Sequence, residues 1–297
     1  MRVVVTGSSG LIGGALVAAL HRSGHEVTPM VRRHPLPGQG YWDPAVGAID
    51  GSVLKGATAI VHLAGAGLGD HRWSATRKAE IRTSRVGATQ LLAQAMATTV
   101  DGPRVLLSGS AVGWYGDRDG EQLTEESGPG RGFLAALCAD WEAATEPAVA
   151  AGFRVVHLRT GVVLDGRGGA LHRQLLLFRL GLGGRLGTGR QWLSWITLRD
   201  HVAAILHLLE DGALVGPVNL TGPSPVTNAG FTRALGKALH RPTVLAVPRL
   251  ALGVVLGREM TDELVLAGQR VLPARLQASG FRFADPDIER ALAAVLR

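Results

Sequence analysis

The chain contains one cysteine (Cys138), three lysines (Lys55, Lys78 and Lys237) and two tyrosines (Tyr41 and Tyr115). A single cysteine excludes an intramolecular disulfide and a cysteine-rich zinc site, and it fits a reducing compartment. His, Asp and Glu do not fall at metal-ligand spacing, so no metal is expected. Aromatics are 5% of the chain and no arginine cluster is interleaved with them, so nucleic acid is not an expected partner. No apolar run approaches the roughly 18 residues of a membrane span, and the Val3-Val4-Val5 run is too short for a signal peptide. A cytoplasmic protein without a membrane partner is the expectation. A Gly-x-Ser-x-Gly elbow is also missing, which argues against covalent hydrolase chemistry.

What is present is an ordinary globular composition. The 297 residues are 46% hydrophobic and 19% charged, enough for one large domain or two small ones. The 41 glycines suggest tight turns or backbone close to a ligand. Basic residues outnumber acidic ones 31 to 24, for a net charge of +7, carried almost wholly by arginine. Part of that surplus suits an anionic small molecule.

The pattern alternates. Arg2–Thr6, Glu26–Val31, Ala59–Leu63, Arg104–Leu107 and Arg154–Arg159 read as strands. Leu11–Ser23, Lys78–Ala97 and Phe133–Ala151 read as helices, with Gly24 and Gly152 as stops. Farther on, Arg199–Leu209 reads as a helix and Pro217–Leu220 as a short strand. Strands alternating with helices of this length predict an α/β fold: a doubly wound parallel sheet covered on both faces. Residues 1–165 and 190–222 are assigned to this nucleotide-binding domain. Residues 166–189 and 223–297 are assigned to a smaller, mostly helical cap.

The first strand runs into Gly7-Ser8-Ser9-Gly10-Leu11-Ile12-Gly13 and then a helix. Gly-x-x-Gly-x-x-Gly in this context is the Rossmann dinucleotide fingerprint. The early glycines allow a tight turn and close backbone approach to a pyrophosphate, and the last lets helix and strand pack closely. The second strand ends in Val31-Arg32-Arg33 without an acid. An acid there would hold the ribose hydroxyls of NAD, whereas Arg32 suits the 2′-phosphate of NADP(H). His62, inside an apolar strand, reads as a core histidine.

These residues, with Ser108-Gly109-Ser110-Ala111-Val112-Gly113-Trp114-Tyr115-Gly116, Trp141-Glu142, the Gly181–Trp192 stretch, Asn219-Leu220-Thr221 and Pro273-Ala274-Arg275-Leu276, resemble the extended short-chain dehydrogenase/reductases. The chain looks like a member of one atypical branch, the YfcH-like epimerase family with a C-terminal domain of unknown function. The resemblance implies that the glycine loop, Arg32, Leu63, Ala64, Glu80, Arg85 and Val162 face the cofactor. It also implies that subunits pair, so a homodimer is a possible assembly. Glu80 and Arg85 do not share a helical face, whereas Arg82 and Arg85 do.

That superfamily works with a Tyr-x-x-x-Lys pair, in which lysine lowers the tyrosine pKa and holds the nicotinamide ribose. Four residues after the two tyrosines stand Ala45 and Asp119, and Leu134 and Cys138 fall near the usual Tyr and Lys places. Three readings follow. Ser110 and Tyr115 could serve as substitute groups for oxidoreductase or epimerase-like chemistry. The chain could bind NADP(H) without catalysis, as a regulatory or interaction protein. The cofactor could be structural in a non-redox reaction. The Gly181–Trp192 loop, with Arg185, Arg190 and Trp192 and with Trp195 beyond, is the expected rim for an anionic or nucleotide-linked substrate. Asp200 is read as a helix cap.

Overall fold

The computed structural model describes residues 1–296. Eight strands form one sheet: β1 (Arg2–Thr6), β2 (Glu26–Val31), β3 (Gly40–Asp43), β4 (Ala48–Ile49), β5 (Ala59–His62), β6 (Val105–Ala111), β7 (Arg154–Thr160) and β8 (Gly216–Leu220). Their spatial order is β8-β7-β6-β5-β1-β2-β3-β4. Neighbours are parallel except for the β3–β4 pair at the edge. The two edge strands β3 and β4 were not apparent in the sequence pattern.

Successive strand residues face opposite sides of the sheet, and each side has its own core. Val3, Val5, Val61, Leu107 and Val156 pack under the helices Leu11–Arg22 and Leu198–Glu210, against Leu16, Leu20, Ile205 and Leu208. Val4, Ile60, Leu106 and Val155 face the other way, against Leu92 and Met96 of the helix Ala88–Thr98 and Ala148 of Glu146–Ala150. This is the doubly wound arrangement that the alternation predicts.

Two helices differ from expectation. The long helix runs Ala75–Arg82, then a π-helical turn at Thr83–Gly87, then Ala88–Thr98. A π turn adds one residue to the helical repeat and shifts the face downstream of it. The stretch expected as one helix from Phe133 to Ala151 ends at Ala143 and restarts at Glu146–Ala150, with Pro147 in the new first turn. Proline cannot donate within a helix but fits its start.

The cap packs Leu171, Leu175 and Phe178 against Phe231, Leu235 and Leu292. Trp195 belongs to the cap core. Leu276, Phe281 and Phe283 pack on the main core. Among the described residues no helix is long and apolar enough to cross a membrane.

Candidate functional site

Strand register aligns the carboxyl edge of the sheet. Thr6 pairs with His62, His62 with Ser108, and Ser108 with His157. The next row outward sets Ser110 beside Arg159 and Arg159 beside Asn219. In an open α/β sheet ligands bind outside this edge.

The glycine loop leaves β1 here. Gly7 has φ +68°, and a Cβ on it would lie 2.8 Å from the Leu63 carbonyl oxygen and the Ala64 nitrogen. A Cβ on Gly13 would overlap the Gly7 carbonyl oxygen. Gly10 is extended (φ −77°, ψ 172°) and brings no capping side chain, so the helix beginning at Leu11 keeps its first N–H groups for a ligand. Ser8 is half-buried and Ser9 exposed, while Leu11 and Ile12 are half-buried against the main core. The loop thus fits a dinucleotide pyrophosphate in both backbone space and polarity. Arg32 follows β2, exposed and, among the described residues, without a carboxylate partner. Leu63 and Ala64 are half-buried; their N–H groups donate to the Thr6 hydroxyl at 3.2 and 3.4 Å. Burial, and secondarily Arg85, lowers the His62 pKa to about 4, so His62 is the neutral core histidine expected. It lies 2.7 Å from the Thr6 hydroxyl.

The long helix separates its three candidate charges. Glu80 is exposed and pairs with Arg77 at 2.7 Å. Arg82 pairs with Asp140. Arg85 turns inward from the π turn and is buried, its guanidinium 5.2 Å above the Trp141 ring. The shared face expected for Arg82 and Arg85 is lost because the extra residue of the π turn lies between them and redirects the second. Ser84, beside Arg85, accepts the Ala66 N–H at 3.1 Å and so braces the loop after β5. Val162 is half-buried and opens the short strand Val162–Leu164, which pairs with Trp195–Thr197.

Ser110 and Tyr115 come together, but inside a closed network. Ser110 is 4% exposed and donates to Glu142 Oε1 at 2.7 Å. Glu142 binds Arg159 twice, each contact 2.8 Å. Arg159 donates to the Tyr115 hydroxyl at 3.2 Å, and that hydroxyl donates to Asn219 Oδ1 at 2.7 Å. Tyr115 is fully buried, and burial raises its pKa further from a donor poised near neutrality. In this arrangement both hydroxyls serve the network and neither is presented to a substrate. Leu134 and Cys138 are buried in the helix Phe133–Ala143, and burial pushes the Cys138 thiol up to about 12.

Sequence reading missed two members of this region. Arg159 lay at a strand end with no local sign of its partner. Glu263 reaches in from the C-terminal segment, where its carboxylate accepts the Phe133 and Leu134 N–H groups at 2.9 and 2.8 Å. It thereby caps the helix Phe133–Ala143, whose preceding residue Gly132 supplies no cap of its own.

Arg185 and Arg190 line a cavity of about 1000 Å³ with Arg249, Asp117, Asp119 and Asp262. Arg249 and Asp262 pair with each other, and Asp117 accepts the Gly268 N–H at 2.9 Å. Arg185 and Arg190 are exposed and are the cavity arginines without a carboxylate partner among the described residues. Trp192 lies beside the wall with Arg270 stacked 4.4 Å above its ring, so one face is already covered. Trp195 is buried and holds the Ser224 carbonyl at 3.0 Å, which makes it a packing residue and not a stacking platform. Thr197, not Asp200, is the N-cap of the helix at Leu198. Asp200 instead accepts the Ala284 and Asp285 N–H groups at 3.0 and 2.9 Å. Among the described residues no acid, histidine or cysteine cluster could hold a metal.

Residues 3–220 match the NAD dependent epimerase/dehydratase family, and residues 247–295 match a domain of unknown function, DUF1731. An epimerase family protein of Mycobacterium tuberculosis is 46% identical over 98% of this chain and 96% of its own. The crystal structure of human epimerase family protein SDR39U1 with NADPH superposes with a TM-score of 0.90 at 35% identity, covering 99% of both chains. A nucleoside-diphosphate sugar epimerase from Corynebacterium glutamicum gives 0.82 at 41% identity, with this chain spanning 58% of that longer one. The chain therefore belongs to the NAD dependent epimerase/dehydratase family, in the epimerase-family branch that carries a DUF1731 segment at its C-terminal end.

Proposed function

We propose that the chain binds NADP(H) at the carboxyl edge of its sheet and brings it to an anionic small molecule for oxidoreductase or epimerase-like chemistry. One observation carries the cofactor choice: Arg32 directly follows β2, exposed and without an acid partner among the described residues, where a 2′-phosphate would lie. The bound NADPH of human SDR39U1 supports it. When bound, the dinucleotide supplies or accepts the hydride. The Gly7–Gly13 backbone holds its pyrophosphate, and Leu63, Ala64, Glu80, Arg85 and Val162 shape the groove. Arg185, Arg190 and Trp192 are the candidate substrate contacts. The C. glutamicum relative, a nucleoside-diphosphate sugar epimerase by name, favours a nucleotide-linked substrate for such a cavity.

A second reading is a non-catalytic NADP(H)-dependent regulator. The engaged hydroxyls of Ser110 and Tyr115 favour it. Titration with NADPH, followed by turnover against carbonyl and nucleotide-sugar panels, separates the two. Binding with turnover supports the enzyme, and binding without turnover supports the regulator. A cytoplasmic setting suits the single, buried, free cysteine. A homodimer is a further proposal, tested by light scattering in solution.

A further inference from the structure

The helix Arg249–Leu256 has the composition of a core helix and stands largely in solvent. After Arg249 it is built only from Leu, Ala, Gly and Val, apolar on every side, as in a fully buried helix. Only Leu252 is buried; Leu250 is 79% exposed and Val254 67%. Contiguous apolar surface left in water marks a binding face.

That face lines a groove of about 550 Å³. Leu250, Gly253 and Val254 form one wall, and Thr261 stands on the helical turn that follows. A Cβ on Gly253 would meet nothing within 4 Å, so the groove is open down to the helix backbone there. The helix is about 12 Å long at 1.5 Å per residue, which sets the run of the groove.

The groove adjoins the larger cavity. Arg249 and Asp262 line both, and the cavity of about 1000 Å³ beyond them holds Arg185 and Arg190. Arg258 stands on the groove, exposed and without a carboxylate partner among the described residues. The joined lining carries four arginines against three aspartates. A polar chamber with a positive surplus thus opens into an apolar groove. A ligand that fills both needs an anionic head and a hydrocarbon tail. A second copy of a chain with net charge +7 would set arginine against arginine at this face, whereas an anionic amphiphile meets it with the opposite sign.

We propose that the chain binds an amphipathic anion, with a phosphate-bearing head between Arg185 and Arg190 and an alkyl or acyl chain along Leu250, Gly253 and Val254. The proposal rests on the reading of the Arg185–Arg190 cavity as the substrate site and deepens it by naming the substrate class.

The probes are butyl phosphate and decyl phosphate, both kept below micelle-forming concentrations, with UDP as a reference that has no tail. Calorimetric titration of the full chain should show decyl phosphate binding at least about tenfold tighter than butyl phosphate, because the added methylenes leave water. Val254→Asp should abolish that preference while butyl phosphate and UDP stay within about twofold. Its melting temperature should match the wild type, since the position is exposed. Arg185→Met combined with Arg190→Met should weaken all three probes about tenfold or more. Equal affinity for the two alkyl phosphates would overturn the proposal, as would a chain-length preference that Val254→Asp leaves intact. Light scattering that shows a dimer dissociating in Val254→Asp would give the face to a second copy and overturn it too. UDP binding untouched by the double arginine variant brings down the cavity reading beneath the proposal, whatever the chain lengths show.

Discussion

The Glu142 carboxylate meets the Arg159 guanidinium side-on, Oε1 to Nε and Oε2 to Nη2, each at 2.8 Å. Both residues are buried, and the pair joins the helix Phe133–Ala143 to strand β7. Ser110 and Tyr115 hang on its two ends. Breaking a buried pair leaves an uncompensated charge, so Glu142→Ala should cost about 3–5 kcal/mol of stability. Urea unfolding measures it. A loss below about 1 kcal/mol, the range of an exposed pair, would contradict this reading.

The glycine loop has no room for a side chain. Gly13→Ala forces its Cβ into the Gly7 carbonyl oxygen, so the loop backbone must move. The expected result is a loss of NADPH affinity of about tenfold or more, with an overpacking cost of about 1–3 kcal/mol. Calorimetric titration with an unfolding curve reads both. Undiminished NADPH binding would remove the loop from the cofactor site.

Removing a network hydroxyl should act on stability first. Tyr115→Phe strands Asn219 Oδ1, and Ser110→Ala removes a donor to Glu142, each costing about 1–3 kcal/mol. NADPH affinity should be unchanged. For a chain with turnover, a hundredfold fall in kcat in either variant would instead assign that hydroxyl to proton transfer.

Acid should destabilise the fold through two fully buried histidines. Burial lowers His62 and His201 to about 4 each, with Arg85 adding to the effect at His62. Above about pH 6.5 both states are neutral at these positions. As pH falls from there toward 4, the unfolded chain takes up protons that the folded chain refuses, so stability is lost in that window. The limit is on the order of 3 kcal/mol per histidine. Melting temperatures at pH 7.5 and 4.5 should show the drop, and His201→Gln should shrink it. Identical curves for that variant and wild type would exclude His201 as a source.

The sheet was legible because its strands are β-branched runs and its helices keep a 3.6-residue period. Val3-Val4-Val5 ahead of Gly7 is enough to place β1 and the loop. The edge strands Gly40–Asp43 and Ala48–Ile49 were not legible, being short and without alternation. The π turn leaves no mark in residue type, so Arg82 and Arg85 looked like neighbours on one face and are not. The Glu142–Arg159 pair is long-range, and Glu263 lies 130 residues from the Phe133 N–H it caps. Such contacts are set by tertiary packing, and no local pattern announces them. The missing lysine was legible by simple enumeration, whereas the burial of Arg85 became visible only in the structure.

The ratio of NADPH to NADH dissociation constants tests whether Arg32 holds a 2′-phosphate. NADPH should bind at least about tenfold tighter, as a charge-assisted phosphate contact requires, and Arg32→Asp should reverse the order. Equal affinities, or tighter NADH binding by the wild-type chain, would contradict it.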